Sequence, residues 1–369
     1  MRLIVVGSGI VGSACALTAT SLGADVTLVD ADHRGRATAA GAGIICPWSS
    51  RVNDPDWFAF ACAAARRYPA LVDSLADRGE AAVGYRQTGA MVLTESPDRQ
   101  AELCRQLVAR RGDAPEMGEI TALDPGQARE LFPPLSTEFW AVHVSGGARV
   151  DGRLISAAMR RAAGRSGATV MAGEASLHVA GDRARGVVVD AELVEADAVV
   201  AATGAWTNEF LSSAGLRIGI APQRGQIVHI GLGLAETSQW PAILPDWTGH
   251  YMLAFDDSRV VVGATRETGS GFDYRVTPGG LAEVLGQALR VAPGLAAGTY
   301  LETRIGFRPM GPDVRPLLGR VPQAEGLVIA TGLGASGLTM GPYAGELAAR
   351  VALSAEMPVD LAPFNPVRT

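Results

Sequence analysis

The first thirty residues, MRLIVVGSGIVGSACALTATSLGADVTLVD, decide the fold. Residues 3–6 (LIVV) are a short apolar run of the kind a strand buried on both faces requires. Gly7, Gly9 and Gly12 follow as G-x-G-x-x-G. Residues 10–22 have helical spacing and few breakers, Gly23 ends that run, and residues 26–29 read as a second strand closed by Asp30. The three glycines have separate uses: a tight turn, close approach of backbone to a pyrophosphate, and close packing of helix on strand. The helix start offers free N–H groups to phosphate, and a terminal acid such as Asp30 can hold a ribose hydroxyl. No secretory leader is expected, because Gly7, Ser8 and Gly9 break the apolar run and Arg2 is the only early base. The unit predicts a dinucleotide site without choosing between nicotinamide and flavin.

Composition bounds the rest. A chain of 369 residues has room for two domains. A net charge of −6 with no basic block argues against nucleic acid as a partner. No run approaches the roughly 18 apolar residues of a membrane span, and a cytoplasmic location is expected. Cys15, Cys46, Cys62 and Cys104 show no metal-ligand spacing, so no metal is expected. The chain has no lysine; all 32 Lys+Arg positions are arginine. That excludes Schiff-base chemistry and a P-loop.

Along the chain, residues 33–47 form a loop of small residues suited to lying against a ligand. A helix is expected over 54–79, interrupted at Pro69 and capped by Asn53 or Asp54. Two short strands around Gly89 and helices over 97–111 and 124–131 break the βαβ order and read as an insertion. A strand over 140–144, a helix over 150–166 and strands over 168–172, 184–189 and 198–202 follow. The last of these leads into Thr203-Gly204-Ala205-Trp206, a return to the dinucleotide sheet. A strand over 218–230, broken near Gly225, a hairpin over 249–264, a helix over 278–291 and a strand over 300–309 complete a β-rich part. Residues 326–330 and 339–353 supply a final strand and helix. The expected organisation is a discontinuous nucleotide-binding domain (1–80, 140–215 and 305–369) interleaved with a substrate domain (81–139 and 216–304).

Residues 331–342 (TGLGASGLTMGP) are a second glycine-rich strand-to-helix turn, with Gly332, Gly334, Gly337 and Gly341. A second helix start aimed at an anionic locus suits a flavin, which gains negative charge on reduction, better than a nicotinamide. Arg308 ends a strand, fixed in extended geometry by Pro309, and can clamp a carboxylate with two hydrogen bonds. Tyr251 can add its phenol to the same group. His250, next to it, is expected on the opposite face of the strand.

Together these motifs resemble the D-amino-acid oxidase superfamily of FAD enzymes, near the glycine oxidase, D-amino-acid dehydrogenase and hydroxyproline dehydrogenase branches. The resemblance rests on VVGSGIVGSACA (5–16), ATAAGAGI (37–44), VVAATGAW (199–206), VVVGATRE (260–267), RIGFRPMGPDVRPLLG (304–319) and ATGLGASGLTMGP (330–342). It implies an α/β + β architecture: a GR2-type, Rossmann-like FAD domain with an interleaved antiparallel-sheet substrate domain. It implies non-covalent FAD held by Gly7, Gly9, Ile10, Val11, Gly12, Asp30 and Ala31, by Thr38, Ala39, Gly41, Gly43 and Ile44, and by Ser176, Gly204 and Trp206. Gly332, Gly334, Ala335, Ser336, Gly337, Leu338 and Thr339 would meet the isoalloxazine. Arg308, beside the flavin, would bind the substrate carboxylate with Tyr251 assisting. Relatives usually carry Glu where Asp30 stands and a proline shortly after the tyrosine. The flavin-linking cysteine and flavin-proximal lysine of sarcosine oxidases are absent.

The expected reaction is FAD-dependent oxidation of an amino acid at its α-carbon, by hydride transfer to flavin N5. Candidate substrates are a D-amino acid, glycine or a cyclic secondary amine such as a proline derivative. O2 or another electron acceptor completes the cycle, and the missing lysine slightly favours a dehydrogenase. Trp48, Met91, Asp246 and Trp247 are expected to shape the pocket and would suit a ring-bearing side chain. A tailoring oxidase acting on a larger amine and a flavin subunit of a multi-subunit dehydrogenase are the alternatives. The sequence leaves the oligomeric state open, a homo-oligomer included.

Overall fold

The computed structural model describes residues 1–368. Arg2–Val6 lies between Ala198–Ala201 and Asp25–Asp30, parallel to both. Thr169–Ala172 extends the sheet on one side; Leu327–Thr331 and the antiparallel edge strand Leu317–Arg320 extend it on the other. Strand alternation sorts the side chains. Leu3 and Val5 join the core formed with helices Ile10–Ser21, Gly152–Arg165 and Gly337–Ala352. Ile4 and Val6 face the opposite way, onto the three-stranded sheet Ala175–Ala180, Arg183–Val189 and Glu192–Glu195. The first helix is buried almost all round, which is why its sequence lacks a polar face.

The second large sheet has nine strands and is mostly antiparallel. Its spine is Ala221–Gly231, paired on one side with Arg259–Gly263 and on the other with Thr299–Met310. Tyr251–Phe255, Ala242–Pro245, Ala90–Thr94, Trp140–Val144 and Ile120–Leu123 follow in order. Met252 and Ala254 pack under helix Pro278–Val291, whereas Leu253 and Tyr251 belong to the opposite face, toward the nucleotide-binding sheet.

The structure differs from four sequence expectations. Trp140–Val144 pairs with Ala90–Thr94 in the antiparallel sheet, so the segment boundary at 140 gives this strand to the wrong sheet. The strand Thr299–Met310 is continuous across 305. Ala221–Gly231 is likewise unbroken at Gly225, where the missing side chain serves its neighbour Arg308 (below). The expected long helix divides at Arg67 into Pro55–Arg66 and Tyr68–Asp77, which leaves Pro69 in a first turn, where proline is tolerated. Asp54 caps the first of these through the Trp57 N–H at 2.8 Å.

Candidate active site

A cavity of about 880 Å³ runs from Asp30 in the parallel sheet to Tyr251 and Arg308 in the antiparallel one. At the nucleotide end the chain follows its glycine pattern. Gly7 has φ +98°, and a Cβ there would stand 2.4 Å from the Ala202 carbonyl oxygen. Gly12 touches the Gly7 carbonyl so closely that a Cβ would lie 1.7 Å from it. It packs helix on strand and does not line the cavity. The Asp30 carboxylate accepts from the Ser8 N–H, and from the Asp32 N–H at 2.6 Å. Burial works against its charge, but the hydrogen bonds from Ser8 and Asp32 and the nearby Arg36 guanidinium outweigh it, so the carboxyl is held below the usual range. Ser176 lines the same end, as does Trp206, which stacks between His33 and Phe272 with centroids 4.8 Å apart on each side.

Midway, two helix starts face the cavity, neither capped by the side chain of its own N-cap residue, Gly9 or Ser336: Ile10–Ser21 and Gly337–Ala352. Uncapped N–H groups are donors for anionic or electron-rich ligand atoms. Thr38 accepts from the Ile10 N–H at 2.9 Å and so ties the small-residue loop to the first helix. At the second turn, Thr339 donates to the Ile44 carbonyl at 3.0 Å and Tyr68 donates to the Leu338 carbonyl. Thr331 donates to the Gly204 carbonyl at 3.0 Å. These bonds fix three strand-to-helix turns around one space. Their glycines, the two helix starts and the acid at the end of the second strand fit an adenine dinucleotide bearing a flavin.

At the far end Arg308 reaches in from Thr299–Met310. It pairs in register with Gln223, and a Cβ on Gly225 would meet its Nη2 at 2.7 Å, so Gly225 makes room for the guanidinium. Nη1 donates to the Thr265 carbonyl at 3.0 Å and to Gln223 Oε1 at 3.3 Å. No carboxylate among the described residues lies within 4.0 Å of it. Desolvation lowers its pKa, the adjacent Tyr251 opposes that shift, and the charge of Arg266 adds to it. Burial raises the Tyr251 phenol, against the pull of Arg308 and Arg266. A desolvated, unpaired guanidinium beside a neutral phenol is a receptor for a carboxylate.

Of the expected cofactor residues, the cavity wall includes Gly7, Gly9, Ile10, Val11, Asp30, Ala31, Thr38, Gly41, Gly43, Ile44, Ser176, Gly204, Trp206 and the run from Gly334 to Thr339. Gly12, Ala39 and Gly332 stand behind it. The Ala39 carbonyl accepts from Arg153 Nε at 2.9 Å, and Gly332 with φ +74° turns the chain between Thr331 and Leu333, which do line the cavity. Of the expected pocket formers only Asp246 reaches the wall; Trp48, Met91 and Trp247 pack elsewhere. His250 does line the cavity, contrary to expectation: the strand begins at Tyr251, so strand alternation does not govern it. Burial, together with Arg266 and against Glu283, lowers its pKa. Arg266, inside the VVVGATRE motif, also lines the cavity, a placement the sequence pattern does not predict.

Two glycine-rich strand-to-helix turns on one mainly parallel sheet, with an arginine that has no described carboxylate partner presented by a second sheet, fit a flavoenzyme. Residues 2–351 match the model of the DAO family, FAD dependent oxidoreductase, and the chain belongs to that family. It is therefore an FAD-dependent oxidoreductase. It is 42% identical to an uncharacterized oxidoreductase, YurR, of Bacillus subtilis (strain 168), over 98% of each chain. The crystal structure of iminodiacetate oxidase from Chelativorans sp. BNC1 is 48% identical and superposes with a TM-score of 0.96 over 99% of both chains. Glycine oxidase from Geobacillus kaustophilus is 26% identical with a TM-score of 0.87, over 100% of this chain and 99% of that one. No described helix is long and apolar enough to cross a membrane.

Proposed function

We propose that this enzyme oxidises a small carboxylate-bearing amine at its α-carbon, with O2 as the final acceptor. The observation that carries the reading is Arg308, held by the Thr265 carbonyl and left without a carboxylate partner among the described residues at the flavin end of the cavity. Arg308 and the Tyr251 hydroxyl bind the substrate carboxylate and so present the adjacent carbon in one orientation; this positioning is the main catalytic work of the chain. Bound FAD supplies the two-electron acceptor for the Cα–H bond, and the resulting imine is hydrolysed by water to a 2-oxo acid and an amine or ammonia. An amine that binds neutral needs no general base, and none is assigned. The relatives' names, glycine oxidase and iminodiacetate oxidase, favour small amines over the ring-bearing side chain expected from Trp48 and Trp247, neither of which reaches the cavity. The test is anaerobic: glycine, N-methylglycine and iminodiacetate are added to the purified yellow holoenzyme and the visible flavin bands are followed. Bleaching by one of these amines, with colour returning as air enters, is the expected result. Bands that none of them bleaches would refute the amine reading; a flavin that stays bleached in air would refute oxygen as the acceptor.

A further inference from the structure

We propose that Arg266 is a second carboxylate anchor and makes the site selective for amines that carry two carboxylates. The proposal rests on the reading of Arg308 as the first anchor. Six arginines line the cavity: Arg36, Arg51, Arg99, Arg110, Arg266 and Arg308. Two are neutralised, Arg36 by Asp30 and Asp32, and Arg99 by Asp246 and Glu102. Arg51 donates from both fork nitrogens to the carbonyls of Asp246 and Thr248, and Arg110 donates twice from Nη1, to the carbonyls of Trp48 and Ser50, with its guanidinium over the Phe58 ring. Arg266 is different. Nη2 alone is engaged, donating to the Gly249 carbonyl at 2.9 Å, and no described carboxylate pairs with it. Of the nearby acids, Asp246 pairs with Arg99, and Glu283 lies 3.2 Å from the His250 ring rather than on Arg266.

The placement beside Arg308 is built into the chain. Arg308 bonds the carbonyl of Thr265, the residue before Arg266, and Arg266 bonds the carbonyl of Gly249, two residues before Tyr251. Both guanidinia act on the Tyr251 phenol, and the charge of Arg266 helps to lower the Arg308 pKa. A ligand with one carboxylate neutralises one of them. A ligand with a carboxylate on each arm of a secondary amine neutralises both and sets its amine between them. Gly249 keeps this possible: a Cβ there would stand 2.1 Å from Arg266 Nη1 and displace the fork. Arg266 is solvent-exposed and Arg308 is not, which gives an outer and an inner anchor.

The test separates this idea from the reaction itself by using unreactive acids. Diglycolate replaces the amine of a two-armed dicarboxylate with an ether oxygen; methoxyacetate is its one-carboxylate counterpart. Their dissociation constants for the holoenzyme are measured by calorimetry in the wild type, Arg266→Gln and Gly249→Ala. The wild type should prefer diglycolate by about 10- to 100-fold, and both variants should bring the ratio near one, as expected for loss of one partly desolvated ion pair. A ratio that is near one in the wild type, or unchanged in Arg266→Gln, overturns the proposal. Flavin content and Tm confirm that the variants fold. If no amine bleaches the flavin yet the diglycolate preference depends on Arg266, the reaction proposed above fails while the second anchor stands.

Discussion

At the scale of single residues, the site depends on guanidinium geometry. Replacing Arg308 with lysine keeps the charge but loses the two-pronged fork, and kcat/KM for a carboxylate-bearing amine should fall by about 100-fold. Replacing it with glutamine removes the charge as well, and the fall should exceed about 1000-fold with FAD still bound. Steady-state kinetics alongside the flavin spectrum checks both, and a glutamine variant with near-normal kcat/KM would remove Arg308 from the site. Its place near the end of a strand was legible because Pro309 and the strand pattern hold it extended, and the structure sets it in the cavity wall. Arg266 was not legible: nothing local distinguishes it from the many surface arginines of a lysine-free chain, and its meaning comes from contacts with Gly249 and Thr265 that only the folded sheet creates. His250 was misread for a related reason. The strand starts at Tyr251, two residues later than the expected start at Gly249, so alternation does not reach His250.

At the scale of elements, the nucleotide-binding layer turns on how closely helix Ile10–Ser21 meets helix Gly337–Ala352. A Cβ on Gly341 would lie 2.5 Å from Ile10 Cγ2, and one on Gly345 would lie 2.2 Å from the Val11 carbonyl. The helices touch through these glycines, and together they carry both helix starts into the cavity. Gly345→Ala must push backbone from backbone and should cost about 1–3 kcal/mol, with a lower Tm and weaker FAD retention. Gly286→Ala, on the exposed side of helix Pro278–Val291 with nothing within 4 Å, should instead stabilise by up to about 1 kcal/mol. Thermal melts of the two variants test the contrast, and equal effects would refute close packing as its cause. The βαβ unit and this helix were readable because their signals are local: period, glycines and caps. The allocation of Trp140–Val144 was not, since a strand's partner is set by tertiary pairing, and its apolar run suits either sheet.

At the scale of the whole molecule, arginine–carboxylate pairing sets how the fold responds to acid. Glu80 sits where the helical segment following the nucleotide loop reaches helix Gly152–Arg165. Its buried carboxylate receives hydrogen bonds from Arg161 and from Arg165, the latter at 2.7 Å. These bonds lower its pKa to about 2. Arginines also hold Asp256, Glu267 and Asp313 below the usual range, against the penalty of burial. The sign follows from linkage. A carboxyl with a depressed folded pKa favours the folded state fully above its unfolded value near 4.3, and that contribution drains away as pH falls toward the folded value. The holoenzyme should therefore lose stability steeply between about pH 4.5 and 2. Glu80→Gln should lower stability at pH 7 by about 1–2 kcal/mol, less than the full shift suggests because Arg161 and Arg165 are half exposed and can return to water. The gap between wild type and variant should narrow as the pH approaches 3, since protonation removes from the wild type what the substitution already lacks. Tm measured at fixed FAD from pH 7 down to 3 reads this directly. A gap that holds constant across that range would assign the Glu80 effect to packing rather than charge.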